Sequence, residues 1–188
     1  MTDDRQNVDT RSRVHGALLD LIQTSRYNDI TVSGLCKRAG ISRGTFYLHY
    51  GCLDDALKDL TDEILSDDSP TGTYRCVDEC GCYSCPYGIC DRIRLHPEYG
   101  ALLLDEDLVG FVTERISEKS RDVYVRELVR RYELSPKDAE TLFTFQLNGC
   151  LAINRQSFRD GDRRLERNRD MIGAFILSGL DRFARRDP

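Results

Sequence analysis

Two short helical segments joined by a glycine turn lie between Thr31 and His49, and they constrain the fold more than any other stretch of this chain. Thr31 is predicted to cap a helix that runs through Ala39, and Gly40 to close it in the left-handed conformation. Ser42 would then cap a second short helix that ends near His49. This spacing predicts a helix-turn-helix, a unit that many DNA-binding proteins share.

The flanking segments also show helical periodicity. Apolar residues recur three or four apart from about Thr10 to Ser25, which predicts a preceding helix, and an apolar stripe over Leu53–Ile64 predicts a following one. A polar, turn-rich stretch, Ser66–Arg75, comes next. We therefore assign residues 1–65 to a helix-turn-helix domain and residues 66–90 to a linker with a cysteine-rich segment.

The rest of the chain, residues 91–188, is predicted as a second helical domain that binds an effector and dimerises. Helices are expected over about 98–104 and 107–132, from Pro136 with Ser135 as its cap, and over about 162–185. A charged patch at residues 117–122 leaves open a break in the second of these. No strand-like alternation of useful length is present, so the predicted fold class is all-α, with about nine helices.

Composition favours a cytoplasmic protein. The first thirty residues of this 188-residue chain lack an apolar run and begin with acids, unlike a signal peptide. No stretch approaches the roughly 20 apolar residues of a membrane span. The net charge of −5 argues against a protein that coats nucleic acid. Residues 26–50, however, carry four cationic side chains against one acid, which suits a small DNA footprint.

The segment "ITVSGLCKRAGISRGTFYLHYGCLDDAL", Ile30–Leu57, resembles the DNA-binding part of the TetR/AcrR family of bacterial repressors. The shared pattern is a Thr-capped helix, an Ala-Gly-hydrophobic turn and a short helix that ends in Tyr-x-His/Tyr-aromatic. The likeness covers Arg11–Leu60, and "HPEYGALLLDEDL" and "FTFQLNGCLAI" resemble the family's C-terminal half more weakly. It implies a double-stranded DNA operator, a homodimer built from the last two long helices, and an effector that releases the protein from DNA.

A recognition helix needs small residues where its backbone approaches the groove, and the second short helix has them at its start. Arg43 is the long cationic side chain there, so guanine O6 and N7 are its natural bidentate target. The predicted DNA-binding residues are Thr31, Ser33, Ser42, Arg43, Gly44, Thr45, Tyr47, Leu48 and His49. The residues predicted to pack the helices together are Leu35, Ala39, Ile41, Phe46 and Tyr50.

Alternatives to this assignment remain open at the level of sequence. A helix-turn-helix outline can be a packing unit only, His49 can be a structural histidine, and Arg43 can be merely solvated. One departure from the family pattern is also expected to matter. Where the family has a phosphate-contacting lysine, this chain has Leu53 beside Asp54 and Asp55, which should weaken nonspecific affinity for DNA.

The C-terminal half supplies candidates for the dimer and for an effector. The segments at residues 142–153 and 170–183 are the predicted dimer helices, and their small residues would allow close approach: Gly149, Ala152, Ala174, Ser178 and Gly179. The alternative is that they form only the core of one chain. The predicted effector pocket comprises Arg92, His96, Tyr99, Phe111, Tyr124 and Phe143. These aromatic residues can equally be core.

Five of the eight cysteines lie within "CVDECGCYSCPYGIC", at Cys76, Cys80, Cys82, Cys85 and Cys90. A Cys-x-x-Cys pair is the usual local clasp for zinc, whereas the spacing departs from that of bacterial ferredoxins. A reducing compartment argues against a permanent disulfide knot. Bound zinc, reversible thiol oxidation and no chemistry at all remain open, and Cys36 and Cys150 are expected to be simply buried.

These features favour a sequence-specific transcriptional regulator, with a repressor released by a small molecule, metal or oxidant as the expected form. The cysteine cluster could make it metal- or redox-responsive. A metal-storage or chaperone module is an alternative of another class. We expect no enzyme activity, because the sequence offers no Ser/His/Asp set, no paired inward carboxylates and no phosphate loop.

Overall fold

The structure is a computed structural model that describes residues 2–66, 96–160 and 165–184. Within these ranges the chain forms eight α-helices and two short 3-10 turns, and no strand is present. The predicted all-α fold is therefore confirmed. The chain divides into two compact units, which are described separately below.

The first unit contains residues 2–64 together with His96–Val112. Its helices are α1 (Thr2–Ile22), α2 (Val32–Ala39), α3 (Arg43–His49), α4 (Leu53–Ile64) and α5 (Gly100–Leu104), with 3-10 turns at Tyr27–Asp29 and Pro97–Tyr99. Helix α1 packs against α2, α4 and α5. The centre of this unit is apolar, with Leu18, Leu35 and Phe46 fully buried. The short helices α2 and α3 are thus held by contacts with the rest of the unit, because isolated helices of this length are marginal in water.

Two features of this unit differ from the sequence analysis. Helix α1 begins at Thr2 and ends at Ile22, so it starts earlier and stops earlier than the predicted 10–25. Residues 96–112, which the sequence placed with the C-terminal domain, group with the first unit. One contact that ties them there is the hydrogen bond from the Tyr27 backbone N–H to Asp105 Oδ2, at 2.8 Å.

The second unit contains residues 65–66 and the described residues from Thr113 onward. It holds most of α6 (Val109–Tyr132), with α7 (Pro136–Arg159) and α8 (Leu165–Ala184). Helix α7 begins as predicted, because Ser135 Oγ accepts the backbone N–H of Asp138 and Pro136 occupies the first turn.

Helix α6 is continuous through residues 117–122, so the break that the charged patch left open does not occur. Ile116, Ser120, Tyr124 and Leu128 are all buried, at a spacing of four residues. Ser120 therefore belongs to the stripe that faces the core, and its hydroxyl donates to the carbonyl of Ile116. The charged side chains of the patch point to the other side of the helix, where they do not interrupt packing.

None of the helices in the part of the chain that the structure describes is long and apolar enough to cross a membrane. The longest, α6 and α7, carry charged residues at intervals along their exposed sides.

Candidate nucleic-acid interface

The turn between α2 and α3 is built by local hydrogen bonds. Thr31 Oγ1 accepts the backbone N–H of Gly34 at 3.1 Å, which caps α2. Gly40 ends the helix at φ 64° and ψ 37°, in the left-handed region that favours glycine. The sequence prediction for both residues is confirmed.

Arg13, on α1, donates hydrogen bonds to the backbone of this turn. Arg13 Nε donates to the carbonyl of Ala39 at 3.0 Å, and Arg13 Nη2 donates to the carbonyl of Gly40 at 2.5 Å. A Cβ at Gly40 would lie 2.8 Å from that Nη2 atom. Arg13 thus satisfies carbonyls that the end of α2 leaves without a helical partner, and it fixes the angle at which α3 leaves the turn.

Helix α3 starts at a second cap. Ser42 Oγ accepts the backbone N–H of Thr45 at 2.9 Å and lies 2.8 Å from Thr45 Oγ1. Phe46 is fully buried and anchors the helix to the core of the unit. Phe46 thus marks the inner side of α3, and the opposite side faces solvent.

The structure sorts the predicted residues into two groups. Eight of the nine predicted DNA-binding residues are exposed, and Thr45 is half-buried. Four of the five residues predicted to pack the helices are buried, and Ile41 is half-buried. The predicted DNA-binding residues therefore lie at the surface of the unit, and the predicted packing residues lie in its interior.

The exposed side of α3 consists of three short rows. Successive residues of an α-helix turn by about 100°, so residues four apart lie in one row. Gly44 and Leu48 form the row directly opposite Phe46. The row on one flank carries Arg43, and the row on the other flank ends in His49. The centre of the face is thus narrow and apolar, and its flanks are cationic and polar.

Gly44 has no structural requirement within its own chain. Its backbone is not in the positive-φ region, and an added Cβ would meet only Ser42 Oγ, at an ordinary contact distance of 3.6 Å. Glycine in a helix interior costs about 1 kcal/mol relative to alanine, and Gly44, in the first turn of α3, carries part of that cost. The unit therefore bears a small instability at the residue where an approaching backbone or groove would come nearest.

The end of α3 is supported by a polar cluster, which comprises Arg11, His15, Tyr50, Asp59 and Glu63. The Asp59 carboxylate accepts two hydrogen bonds from Arg11, both at 2.7 Å, and one from Tyr50 Oη at 2.9 Å. His15 is buried, and its Nε2 and Nδ1 atoms lie 3.0 Å from Asp59 and 2.8 Å from Glu63. Both ring nitrogens of His15 thus lie within hydrogen-bonding distance of a carboxylate.

Contacts within the cluster shift the pKa values of Asp59 and Tyr50 in opposite directions. Burial acts to raise the pKa of Asp59, but the hydrogen bonds from Arg11 and Tyr50 outweigh it and hold the pKa below the ordinary value of 3.8. Burial and the bond to this carboxylate raise the pKa of the Tyr50 phenol. Asp59 is therefore ionised near neutral pH and keeps Tyr50, the residue that ends α3, in position.

The two acids that depart from the family pattern have structural partners. Asp55 Oδ2 accepts the backbone N–H groups of Gly51 and Cys52, which caps the start of α4. Asp54 accepts the hydroxyl of Tyr27 at 2.6 Å. Both carboxylates therefore hold α4 in place, and the expected weakening of nonspecific DNA affinity stays a prediction.

The cations near the turn are not equivalent. Arg38 is paired with Asp20 through two contacts, at 2.6 and 3.0 Å, so part of its charge is neutralised within the unit.

Burial raises the pKa of the Cys36 thiol, while the nearby guanidinium of Arg43 acts in the opposite direction. Cys36 is buried as predicted. Arg43 projects from the exposed side.

A second exposed surface lies in the second unit, between α7 and α8. A groove of about 430 Å³ is lined there by apolar side chains that include Phe145, Ile153, Met171 and Phe175. The five small residues predicted for a dimer seam are all exposed: Gly149, Ala152, Ala174, Ser178 and Gly179. Cys150, expected to be buried, is half-buried and lines the same groove. Of the five small residues, Gly149 lines the groove. We refer to the groove together with these five exposed residues of α7 and α8 as the α7–α8 face.

The predicted effector pocket falls partly within the described residues. Tyr124 and Phe143 are buried in the second unit, with ring centroids 5.6 Å apart, and Tyr124 donates to the buried Gln146. His96 is exposed and pairs with Glu98 at 3.2 Å in the first unit. Tyr99 and Phe111 are half-buried in that unit. Arg92 and the cysteines Cys76, Cys80, Cys82, Cys85 and Cys90 lie outside the described residues.

Arg13 and the polar cluster were not found by sequence reasoning. A usable signal existed for the cluster, since Arg11 and His15 on α1 and Asp59 and Glu63 on α4 form complementary pairs four residues apart. Nothing local marks Arg13, because its acceptors are backbone carbonyls 26 and 27 residues away.

Comparison with known proteins adds no assignment. No family model matches the chain, and no curated protein matches it in sequence. The function must therefore be argued from the two exposed surfaces.

Proposed function

We propose that this protein is a homodimeric, sequence-specific DNA-binding transcriptional regulator of the TetR/AcrR kind. The observation that carries the proposal is the separation of residues in α2 and α3. The side chains suited to DNA are exposed, while those predicted to pack the helices together are buried or half-buried. A three-helix packing unit has no need for an outward face of this composition.

The chemistry of that face matches a duplex. Arg43 offers a bidentate donor to a guanine edge, and Tyr47 and His49 offer donors to phosphates. The caps of α2 and α3 are closed by Thr31 and Ser42, whose hydroxyls also lie at the exposed surface. A major groove about 12 Å wide admits one helix, and α3 carries a glycine where that helix would approach most closely.

The second surface supports the dimer in this proposal. One recognition helix reads only a few base pairs, so proteins of this kind gain specificity from two half-sites related by twofold symmetry. The α7–α8 face combines large apolar side chains with glycines whose missing Cβ atoms leave open space. Such a face fits a second copy of itself, because a twofold axis sets like surfaces against each other.

The proposal is tested by DNA selection and affinity measurement. The wild-type protein should enrich a palindromic sequence from a randomised duplex pool. Arg43→Ala should lower affinity for the enriched duplex by about tenfold or more, because a bidentate base contact is lost, and Tyr47→Phe should lower it less and without sequence preference. Arg126→Ala, at an exposed arginine of α6, is the matched control and should bind like wild type.

Two results would contradict the proposal. One is a pool that shows no enrichment after repeated rounds. The other is equal affinity of wild type and Arg43→Ala for every duplex tested, since α3 would then make no base contact.

Regulation is the second step of the proposal. A cytoplasmic repressor of this kind leaves its operator when an effector has different affinities for its two states. Five thiols within residues 76–90 make a metal ion or an oxidant one candidate effector. Elemental analysis and a free-thiol count on anaerobically purified protein test this, and metal near zero with unreactive thiols would leave a small apolar molecule as the effector.

A further inference from the structure

Leu48 is the most exposed large apolar side chain in the described part of the chain, with 84% of its surface accessible. Burying a leucine side chain stabilises a fold, so leaving one in water near the C-terminal end of this short helix forgoes that stabilisation. A polar residue there would cost the unit no packing. A single exposed leucine is ordinary on a protein surface. This one lies among the exposed polar residues of α3, which favours a partner that covers it.

The position of Leu48 on α3 identifies where that partner lies. It shares the outermost row with Gly44, opposite the buried Phe46, so it projects further from the unit than either flanking row. Gly44 adds no bulk beside it. A helix that entered a major groove with this row leading would place Leu48 against the edges of the base pairs.

The base edges offer one apolar group in the major groove, the C5 methyl of thymine. The other groups there are hydrogen-bond donors and acceptors, which a leucine cannot satisfy. Apolar wedges that unstack bases act from the minor groove, which is too narrow for a helix. The chemistry of Leu48 thus selects a thymine.

We propose that Leu48 is a specificity-determining residue that reads the C5 methyl of one thymine in each operator half-site. This inference rests on the proposed function, because it supposes that α3 enters a major groove. It adds the identity of a base that Arg43 does not read.

The test uses the full-length protein and the duplex that it enriches from a randomised pool. Each thymine of the half-site is replaced in turn by deoxyuridine, which removes only the C5 methyl. One replacement should weaken wild-type binding by about fourfold, as expected for one buried methyl group. Leu48→Ala should bind the unmodified duplex at least about fourfold more weakly, and that deoxyuridine should weaken it no further.

Two controls separate this readout from general damage. Arg43→Ala should bind more weakly overall but keep the fourfold response to the same deoxyuridine, since its own contact is to another base. Leu48→Ala should unfold at the wild-type temperature, because its side chain is exposed.

The possible failures are distinct. If no deoxyuridine weakens wild type, or if the same one weakens Leu48→Ala equally, the thymine contact is wrong while DNA binding stands. If wild type enriches no duplex, the proposed function fails, and this inference fails with it.

Discussion

The outer side of α3 and the α7–α8 face both expose large apolar residues next to glycines, yet they differ in what surrounds those residues. On α3 a single leucine lies between rows that carry a guanidinium, a phenol and an imidazole. On the α7–α8 face Phe175, 71% exposed, lies beside Met171, Ile172 and the residues of the groove. The first surface is polar with a narrow apolar centre, and the second is broadly apolar.

This difference indicates two kinds of partner. A duplex is recognised by charged and polar contacts with a few apolar contacts to methyl groups, whereas the core of a homodimer interface is largely apolar. Exposed apolar patches of the second kind are uncommon on monomers and mark interaction sites. A substitution should therefore disrupt one surface without the other, and under the proposed function both surfaces contribute to tight operator binding.

The largest effect is expected at the α7–α8 face. Phe175→Glu places a charge in the centre of the proposed seam, where it would be buried without a partner. The protein should become monomeric, and operator affinity should fall by about 100-fold or more, because two linked half-site contacts become one. Sedimentation and mobility-shift measurements check both outcomes.

The control for this change is Val123→Glu, the same replacement at an exposed apolar residue of α6. It should leave the dimer intact. A Phe175→Glu protein that remains dimeric, with wild-type affinity for DNA, would contradict the assignment of the seam.

A smaller effect, with opposite signs in two measurements, is expected at Gly44. Gly44→Ala should raise the free energy of unfolding by about 0.5–1 kcal/mol, because the backbone is helical and the added methyl meets no close neighbour. Operator affinity should fall by about tenfold, since that methyl would intrude on the groove. Gly16→Ala on α1, also with open space around it, should show the same stabilisation and unchanged affinity.

If Gly44→Ala and Gly16→Ala bound the operator equally well, close approach at Gly44 would be wrong. The difference between the two surfaces would then depend on their exposed side chains and not on a glycine backbone.

The third effect is expected at Asp59, which supports the end of α3 through Tyr50. Asp59→Asn removes the charge that Arg11, His15 and Tyr50 bind, and it should lower the free energy of unfolding by about 2 kcal/mol near neutral pH. Because the folded-state pKa of Asp59 lies below its ordinary value, this contribution is present above pH 4 and is lost as the pH falls below it. The stability difference between wild type and Asp59→Asn should therefore shrink in acid.

Unfolding curves at a series of pH values measure this difference. Asp122→Asn, at an exposed residue of the second unit, should match wild type throughout. A gap between wild type and Asp59→Asn that stayed constant from pH 7 to pH 3 would show that the ionisation of Asp59 does not stabilise the first unit.

Much of the helix-turn-helix could be predicted because its determinants are local. Thr31, Gly40 and Ser42 act on backbone groups within one helical turn, and the structure confirms all three. The same holds for Ser135 and Pro136 at the start of α7. Local rules failed at residues 117–122, where a buried four-residue stripe outweighs the charge of the patch.

The sequence predicted only part of each candidate surface. Periodicity marks a face of α8 as apolar, but it cannot tell that Leu180 is buried while Phe175 is exposed. Both residues are apolar, and whether each is buried depends on where α7 packs. Likewise, a glycine in a helix is ambiguous until the space around it is known, and at Gly44 that space contains no backbone.

The sequence by itself determined the all-α class, the caps and the glycine turn, because each depends on hydrogen bonds between residues a few positions apart. Tertiary structure decided which side of α3 faces outward, how Arg13 binds the turn, and how Asp59 comes to bind groups from two other segments, α1 and the end of α3. Those contacts join residues up to 48 positions apart, and only packing of α1 against α2 and α4 brings them together.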